Sequence, residues 1–576
     1  MNCANFSPFR YHNFHYQKGI AFAVFRSMKK ILLAFGLGVL VFSCTDTTED
    51  NKEKTIKEER NISKRDVGIT ASNSYSTLFL DTAALQNFIT QNKIPDSIAS
   101  RLESFYNTRN YQFAWFSSDG LTEQARGFWN LHDYVTTYES DSSLKDKKLQ
   151  KKMDRLIAED ELSVSASNKE YINTELTLTQ HFIMYMLNNY EKGYVKRKEM
   201  ERFVPRKKED PLALADSLIN KKHKDDKYFE DVNESYKALK EQLGKYLAIA
   251  KNGGWPQVNT VKKSLKKGTS SPDISIIKKR LSITGDLAVN DTSQVFNDTL
   301  VAAVKNFQAR HGFSETGIIN DSLVKEMNVP VTKRVEQLLM NMDRMRWFAN
   351  NPTSNLILVN IPEFVLHVYE GKQKAFDIDV VVGKEGHNTM MFNGDLNQVV
   401  FSPYWNVPPS IVAKEILPAI EKNPNYIAKE NMEITGNDDG LPVVRQKPGP
   451  GNALGKVKFL FPNSFNIYFH DTPSKSLFNR DTRAYSHGCI RLREPEKFAN
   501  YVLRNQPEWT PEKINEAMNS GDEKYVKVKD PIPVIITYYT AWVDENGRLN
   551  FRQDIYGHDE KLSAKMFRQI PQLASN

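Results

Sequence analysis

The hydrophobic period of this chain changes part-way along, and that change limits what it can fold into. Before about residue 350, apolar residues recur every three or four positions, as in "LQNFITQNKIPDSIASRLESFY" and "ESYKALKEQLGKYLAIA", the spacing of helices that bury one stripe. After Asn355 the texture becomes short runs rich in Val, Ile, Phe and Tyr, such as "LILVNIPEFVLHVYEG", "AFDIDVVVG", "NIYFHDTP" and "IPVIITYYTAWVD", separated by Pro and Gly, which read as strands. At 576 residues the chain is too long for one hydrophobic core. A multidomain α+β protein is expected, helical first and mainly β afterwards.

Within that frame residues 71–268 read as a helical domain. Its loop-like piece "RNYQFAWFSSDGLTEQARGFW" packs many aromatics into a short span, and both a core and a binding platform are open readings. The charged stretch around His223 reads as a solvated face. Residues 269–330 form a compact unit in which Leu300, Val301, Val304 and Phe307 keep helical spacing and His311-Gly312 suits a helix stop. In 331–350, Val335, Leu338, Leu339, Met342 and Met345 share one helical stripe, as a packing helix or a Met-lined groove would have it. The β domain spans 351–560, with a loop-rich insertion at about 417–455 that is long enough for a cap, and 561–576 reads as a C-terminal tail.

From Met28, "MKKILLAFGLGVLVFSC" has two lysines, an apolar stretch from Ile31 to Phe42 and a small residue before Cys44. This is the layout of a secretory signal, with a core short for a bilayer span. Met28 begins a complete signal by itself, so residues 1–27 are expected to be an upstream extension. Residues 45–70 are charged and nearly free of large apolar side chains, as in a flexible tether.

The net charge of +8 comes from 78 basic and 70 acidic side chains mixed along the sequence. That pattern favours a solvated surface over a nucleic-acid footprint. The three cysteines, Cys3, Cys44 and Cys489, are too far apart to suggest a disulfide framework or a zinc site.

Cys489 lies in "AYSHGCIRL". A thiol with an ordinary pKa of ~8.5 is mostly protonated at neutral pH and needs a base or a positive neighbour to become a nucleophile. His487 stands at i−2, on the same side if the segment is extended; His470, at the end of an apolar strand, could come across from it. Gly488 would let backbone N–H groups approach a developing oxyanion, and Arg491 adds a fixed positive charge. The bland alternative is an inert cysteine beside unrelated histidines.

The run "HDTPSKSLFNRDTRAYSHGCIRL" resembles the active-site signature of L,D-transpeptidases with a YkuD-type catalytic domain. "AAVKNFQARHGFSETGIIN" resembles a peptidoglycan-binding domain, and "FSPYWNVPPSIVAKEILP", "RQKPGPGNALGKVKFLFPN" and "TAWVDENGRLNFRQDIYG" look like the large YcbB-type members, which combine a scaffold domain, a small peptidoglycan-binding domain and a catalytic domain with a capping insertion. Cys44 resembles a lipobox cysteine, which implies lipidation there and a membrane-anchored protein of the bacterial cell envelope facing the periplasmic space.

Carried onto this sequence, the resemblance implies Cys489 as nucleophile and His470 as base, held by the backbone around Asp471, with His487, Gly488 and Arg491 on the oxyanion and acceptor side. Which histidine takes the proton stays open. Tyr404, Trp405, Asn406 and Tyr485 could line a donor groove, and Phe478, Arg480 and Arg483 lie on the approach to Cys489; packing is an equal reading for each. The implied reaction is acyl transfer from a peptidoglycan tetrapeptide stem through a thioester to an amine, giving 3→3 cross-links, without a cofactor or metal and with carbapenem-type inhibitors acylating the thiol. Water, a D-amino acid or a protein lysine would serve as alternative acceptors, and a silent wall-binding lipoprotein is the rival of another class.

Overall fold

The structure is a computed structural model that describes residues 62–138, 142–159, 162–189, 197–220, 234–259, 264–288, 291–347 and 355–568. The signal, Cys3, Cys44, most of the tether and His223 lie outside the described residues. No described helix is long and apolar enough to cross a membrane.

The first part is helical, as its period requires. Its helices start on side-chain caps where the sequence supplies them: Asp81 accepts from the N–H of Ala83, and Asp146 from those of Lys148 and Leu149. The aromatics of residues 109–129 are core: Trp115, Phe116 and Phe128 are fully buried, and Trp115 packs on Phe128, Phe182 and Trp347. The buried Glu175 carboxylate accepts from the N–H groups of Ala114 and Trp115, which fixes that loop on the helix behind it. The compact unit that follows has helices Pro272–Ile283, Asp298–Arg310 and Asp321–Met327, capped by Ser271, Asn297 and Asn320, around its own apolar core.

Helix Val331–Met345 is buried along nearly its whole length. Its Met stripe packs against helix Glu234–Lys251 and residues 541–567, so it is a strut between the helical and β parts. Arg344 binds Glu123 on one side and Asp559, at 2.6 Å, on the other. Gln337 and Asn341 donate to the backbone and hydroxyl of residues 540–552.

The β part is a nine-stranded sheet. Its strands are β1 (Leu356–Asn360), β2 (Val365–Glu370), β3 (Gln373–Gly383), β4 (Asn393–Phe401), β5 (Val457–Leu460), β6 (Phe469–His470), β7 (Ala484–Ser486), β8 (Ile490–Leu492) and β9 (Lys524–Thr537). The order is β7-β3-β8-β6-β5-β4-β9-β1-β2, and β2 pairs again with β3, so the sheet closes on itself. Residues of alternate parity fill the enclosed core, among them Val399, Phe459, Phe469, Ile490 and Leu492.

Two expectations change. The insertion begins before residue 417: the chain leaves the sheet after β4, and Trp405–Asn406, Met432–Asp438 and Leu441–Gln446 form a separate three-stranded sheet over a small core of Val407, Ile411, Val412, Ile416, Met432 and Val444. Residues 561–568 are no tail. Residues 561–566 belong to helix His558–Met566, whose Leu562 and Met566 are buried, and the Glu209 N–H donates to the Met566 carbonyl while the Glu209 carbonyl accepts from the Arg568 N–H.

Candidate active site

Parallel pairing of β6 with β8 sets Phe469 opposite Ile490 and His470 opposite Arg491. Continuing that register by one residue puts Tyr468 opposite Cys489. Since Phe469, Ile490 and Leu492 point into the core, alternation sends Tyr468, His470, Cys489 and Arg491 to the other face. The strand pattern that buries the apolar residues therefore also gathers the reactive ones.

His470 is buried, and its Nδ1 lies 2.5 Å from the carbonyl oxygen of Asp471. A carbonyl only accepts, so Nδ1 carries the proton and Nε2 keeps its lone pair. Burial, helped by the charge of Arg491, lowers the His470 pKa to about 3, so the ring is neutral at neutral pH. Asp471 is held in turn: Oδ2 accepts from the N–H of Lys456 at 2.9 Å and Oδ1 from Lys475 Nζ at 2.7 Å. It fits because residue 455 is glycine; a Cβ there would sit 2.4 Å from the Asp471 carboxyl carbon, and φ is +62°.

Cys489 is partly exposed, with Sγ 3.6 Å from the carbonyl oxygen of Asn466. Burial raises its pKa to about 11, while hydrogen bonding from Tyr468 and the charge of Arg491 pull the other way without cancelling it. At rest the pair is thiol and neutral imidazole. Arg491 Nε is buried with no hydrogen-bond partner among the described residues.

The turn before Cys489 departs from the extended segment that the i−2 argument assumed. Gly488 has φ of +110°, a region an L side chain rarely enters. Ser486 Oγ accepts from the Gly488 N–H at 3.2 Å and donates to the Cys489 carbonyl at 2.5 Å. The Gly488 N–H is thus occupied, whereas the Cys489 N–H has no hydrogen-bond partner among the described residues. His487 is turned outward, its Nε2 2.8 Å from Glu415 Oε1 and its ring 4.9 Å from that of His387.

Sequence comparison gives this arrangement a family. Residues 354–559 match YkuD, described as the L,D-transpeptidase catalytic domain; residues 100–243 match a scaffold domain, and residues 270–327 a "Putative peptidoglycan binding domain". The chain carries a YkuD-type L,D-transpeptidase domain. A Haemophilus influenzae protein named "Putative L,D-transpeptidase" is 33% identical over 256 residues, covering 41% of this chain and 51% of that protein; the chain thus spans about half the length of this curated relative. Among solved structures, an L,D-transpeptidase from Mycobacterium smegmatis is 13% identical over 32% of this chain and 58% of its own, with a TM-score of 0.19. One from Stackebrandtia nassauensis is 13% identical over 49% and 96%, with a TM-score of 0.21.

In this transpeptidase domain the cap is rooted beside His470. Lys458, paired with His470 across β5 and β6, donates to the Tyr404 carbonyl at 3.3 Å, while Glu523 accepts the Tyr404 N–H at 2.9 Å. Asn452 ties the two chains of the root together, donating to the carbonyls of Pro403 and Lys447. Of the expected groove residues, Tyr404 lies under the Arg445 guanidinium, Trp405 packs on the cap core, and Asn406 is exposed.

Tyr485 and Arg480 are exposed near the turn, whereas Phe478 is buried. Arg483 is bound to Asp379 and to the carbonyls of Val380 and Phe364. Glu415, Tyr468, Lys458 and Asn452 were not among the site residues expected from the sequence. Tyr468 could have been found from the two-residue alternation with His470; Glu415, 72 residues from His487, could not. A cavity lined by Glu123, Asn130, Trp347, Met391, Asn393 and Tyr539 lies between the helices and the sheet, away from Cys489.

Proposed function

We propose that the protein is an L,D-transpeptidase of the bacterial cell wall, acting on tetrapeptide stems through a Cys489 thioester and forming 3→3 cross-links. The observation that carries this reading is the strand register that puts Cys489 and His470 on one sheet face, with the His470 Nε2 lone pair free because Asp471 holds Nδ1. With a thiol near 11 and an imidazole near 3, a standing ion pair is disfavoured. The proton passes to Nε2 as sulfur attacks the donor carbonyl, and it leaves with the terminal D-alanine. The unpartnered Cys489 N–H and the charge of Arg491 favour the oxyanion that develops.

The peptidoglycan-binding domain would hold the wall nearby, and Cys44 would carry the lipid anchor that keeps the enzyme at a membrane of the envelope, facing the periplasm. Carbapenem-type compounds would acylate Cys489 as donor mimics.

The test is mass spectrometry of the full chain in detergent after incubation with a tetrapeptide muropeptide, beside Cys489→Ala. A cross-linked dimer that has lost one D-alanine, absent from the variant, is expected. Loss of D-alanine without a dimer would make the activity hydrolytic; no change and no carbapenem adduct would leave a silent wall-binding protein.

A further inference from the structure

A transpeptidase must deprotonate twice. The thiol loses its proton during acylation, and the acceptor, an ammonium at neutral pH, must lose one before its nitrogen can attack the thioester. His470 is committed to the first task by position: it is buried on the sheet face with the sulfur and has one free nitrogen. The second task needs a base that opens to solvent and can hold a proton beside Arg491.

His487 opens to solvent, and the cap supplies it with a carboxylate partner. Its Nε2 lies 2.8 Å from Glu415 Oε1; a carboxylate accepts, so Nε2 bears the hydrogen and Nδ1 the lone pair. Glu415 is on a π-helical turn, Val412–Ile416, whose buried Val412 and Ile416 anchor it in the cap core while Ala413, Lys414 and Glu415 face out. An inserted residue of this kind re-aims a side chain and recurs at functional sites. The Ser486–Cys489 turn keeps His487 close to the sulfur, since two residues span at most ~7 Å between Cα atoms. The groups recorded against His487 are Glu415 from the cap and His387 from the loop after β3, and Lys384 and Lys414 lie near enough to His387 to act on it electrostatically.

We infer that Glu415 is a positioning residue that makes His487 the base for the acceptor amine, an assignment that rests on the thioester reading above. The acceptor ammonium gives one proton to His487 Nδ1, and the imidazolium is stabilised by the Glu415 carboxylate. The freed amine attacks the thioester carbonyl, the N–C bond forms and the C–S bond breaks. The second nitrogen proton returns through His470 to the Cys489 sulfur, and His487 passes its proton to water.

The experiment compares wild type, Glu415→Gln and His487→Gln as full chains, measuring carbapenem acylation and D-alanine loss separately from the ratio of cross-linked to hydrolysed product. Glu415→Gln should acylate within about twofold of wild type, while in both variants that ratio falls about tenfold or more. With hydroxylamine, an acceptor unprotonated at neutral pH, the defect should shrink to within about twofold. An equal defect with hydroxylamine would make Glu415 a structural support of the cap and overturn the assignment, as would an unchanged ratio. A wild-type chain that forms no acyl adduct would overturn the thioester reading itself, which is a different result from intact acylation with unaltered partition.

Discussion

The sheet face around His470 and the turn around His487 present the same side chain in opposite settings. His470 is buried, bound to a neutral carbonyl and beside the charge of Arg491, so its protonated form is disfavoured. His487 is exposed and bound to a carboxylate delivered by the cap. The inner site suits a proton held only during bond making; the outer suits a proton that must be held and released. Burial and partner, rather than residue type, divide the work.

Removing the inner base should have the largest effect. His470→Asn is expected to slow acylation of Cys489 by about 10²–10⁴-fold, measured as carbapenem adduct by mass spectrometry, with helical and β content unchanged by circular dichroism. A loss under tenfold would transfer the thiol's proton to another group and dissolve the contrast.

The pH dependence sharpens it. With pKa values of about 3 for His470 and about 11 for Cys489, acylation should be level across the neutral range, without the inflection near ~6.5 that an ordinary histidine would give. An inflection there in stopped-flow acylation would mean that His470 is more hydrated than its surroundings require.

Gly455→Ala tests the support of the inner site. The new Cβ would collide with the Asp471 carboxyl group, and the φ of +62° adds strain, so Asp471 must move and its carbonyl with it. Acylation should fall about tenfold or more through lost positioning, while a noncovalent ligand of the peptidoglycan-binding domain, measured by calorimetry, is retained.

How far this was legible in the sequence depended on the range of the physics. The change of period separated helices from strands because each residue's burial is set by near neighbours. The same alternation that buries Ile467, Phe469 and Ile490 places His470 and Cys489, so a local pattern carried the core of the site. Gly488 was visible as a glycine, but its turn depends on Ser486 bonding across it. The Glu415–His487 contact and the burial of helix His558–Met566 against the strut arise from tertiary packing, for which no short motif exists. The Met stripe of helix Val331–Met345 was legible as packing, though its role as a strut between two parts was not.

A histidine away from the site and His470 within it give stability effects of opposite sign. His367 lies between Glu363 and Asp377, at 3.1 and 2.8 Å, and the two carboxylates raise its pKa to about 9 against the cost of burial. Its contribution is present below the unfolded value of ~6.5 and is lost as pH rises through about 9. His470, lowered to about 3, costs stability as pH falls below ~6.5, because the unfolded chain binds the proton more readily. His367→Gln should therefore flatten the decline of melting temperature between neutral pH and about 9, measured by calorimetry, and leave the acid side unchanged.

The smallest expected effect separates the cap from the sheet beneath it. Asn452 donates to the carbonyls of Pro403 and Lys447 where the cap's two chains meet, and the cap has only a small core of its own. Asn452→Ala removes these bonds at a buried position and should cost about 1–3 kcal/mol locally. Hydrogen exchange in residues 432–446 should accelerate while β4, β5 and β9 keep their protection, because opening of the cap need not open the closed sheet. Equal acceleration in both would mean that cap and sheet open as one unit, and the outer histidine would then have no independent means of moving toward or away from the thioester.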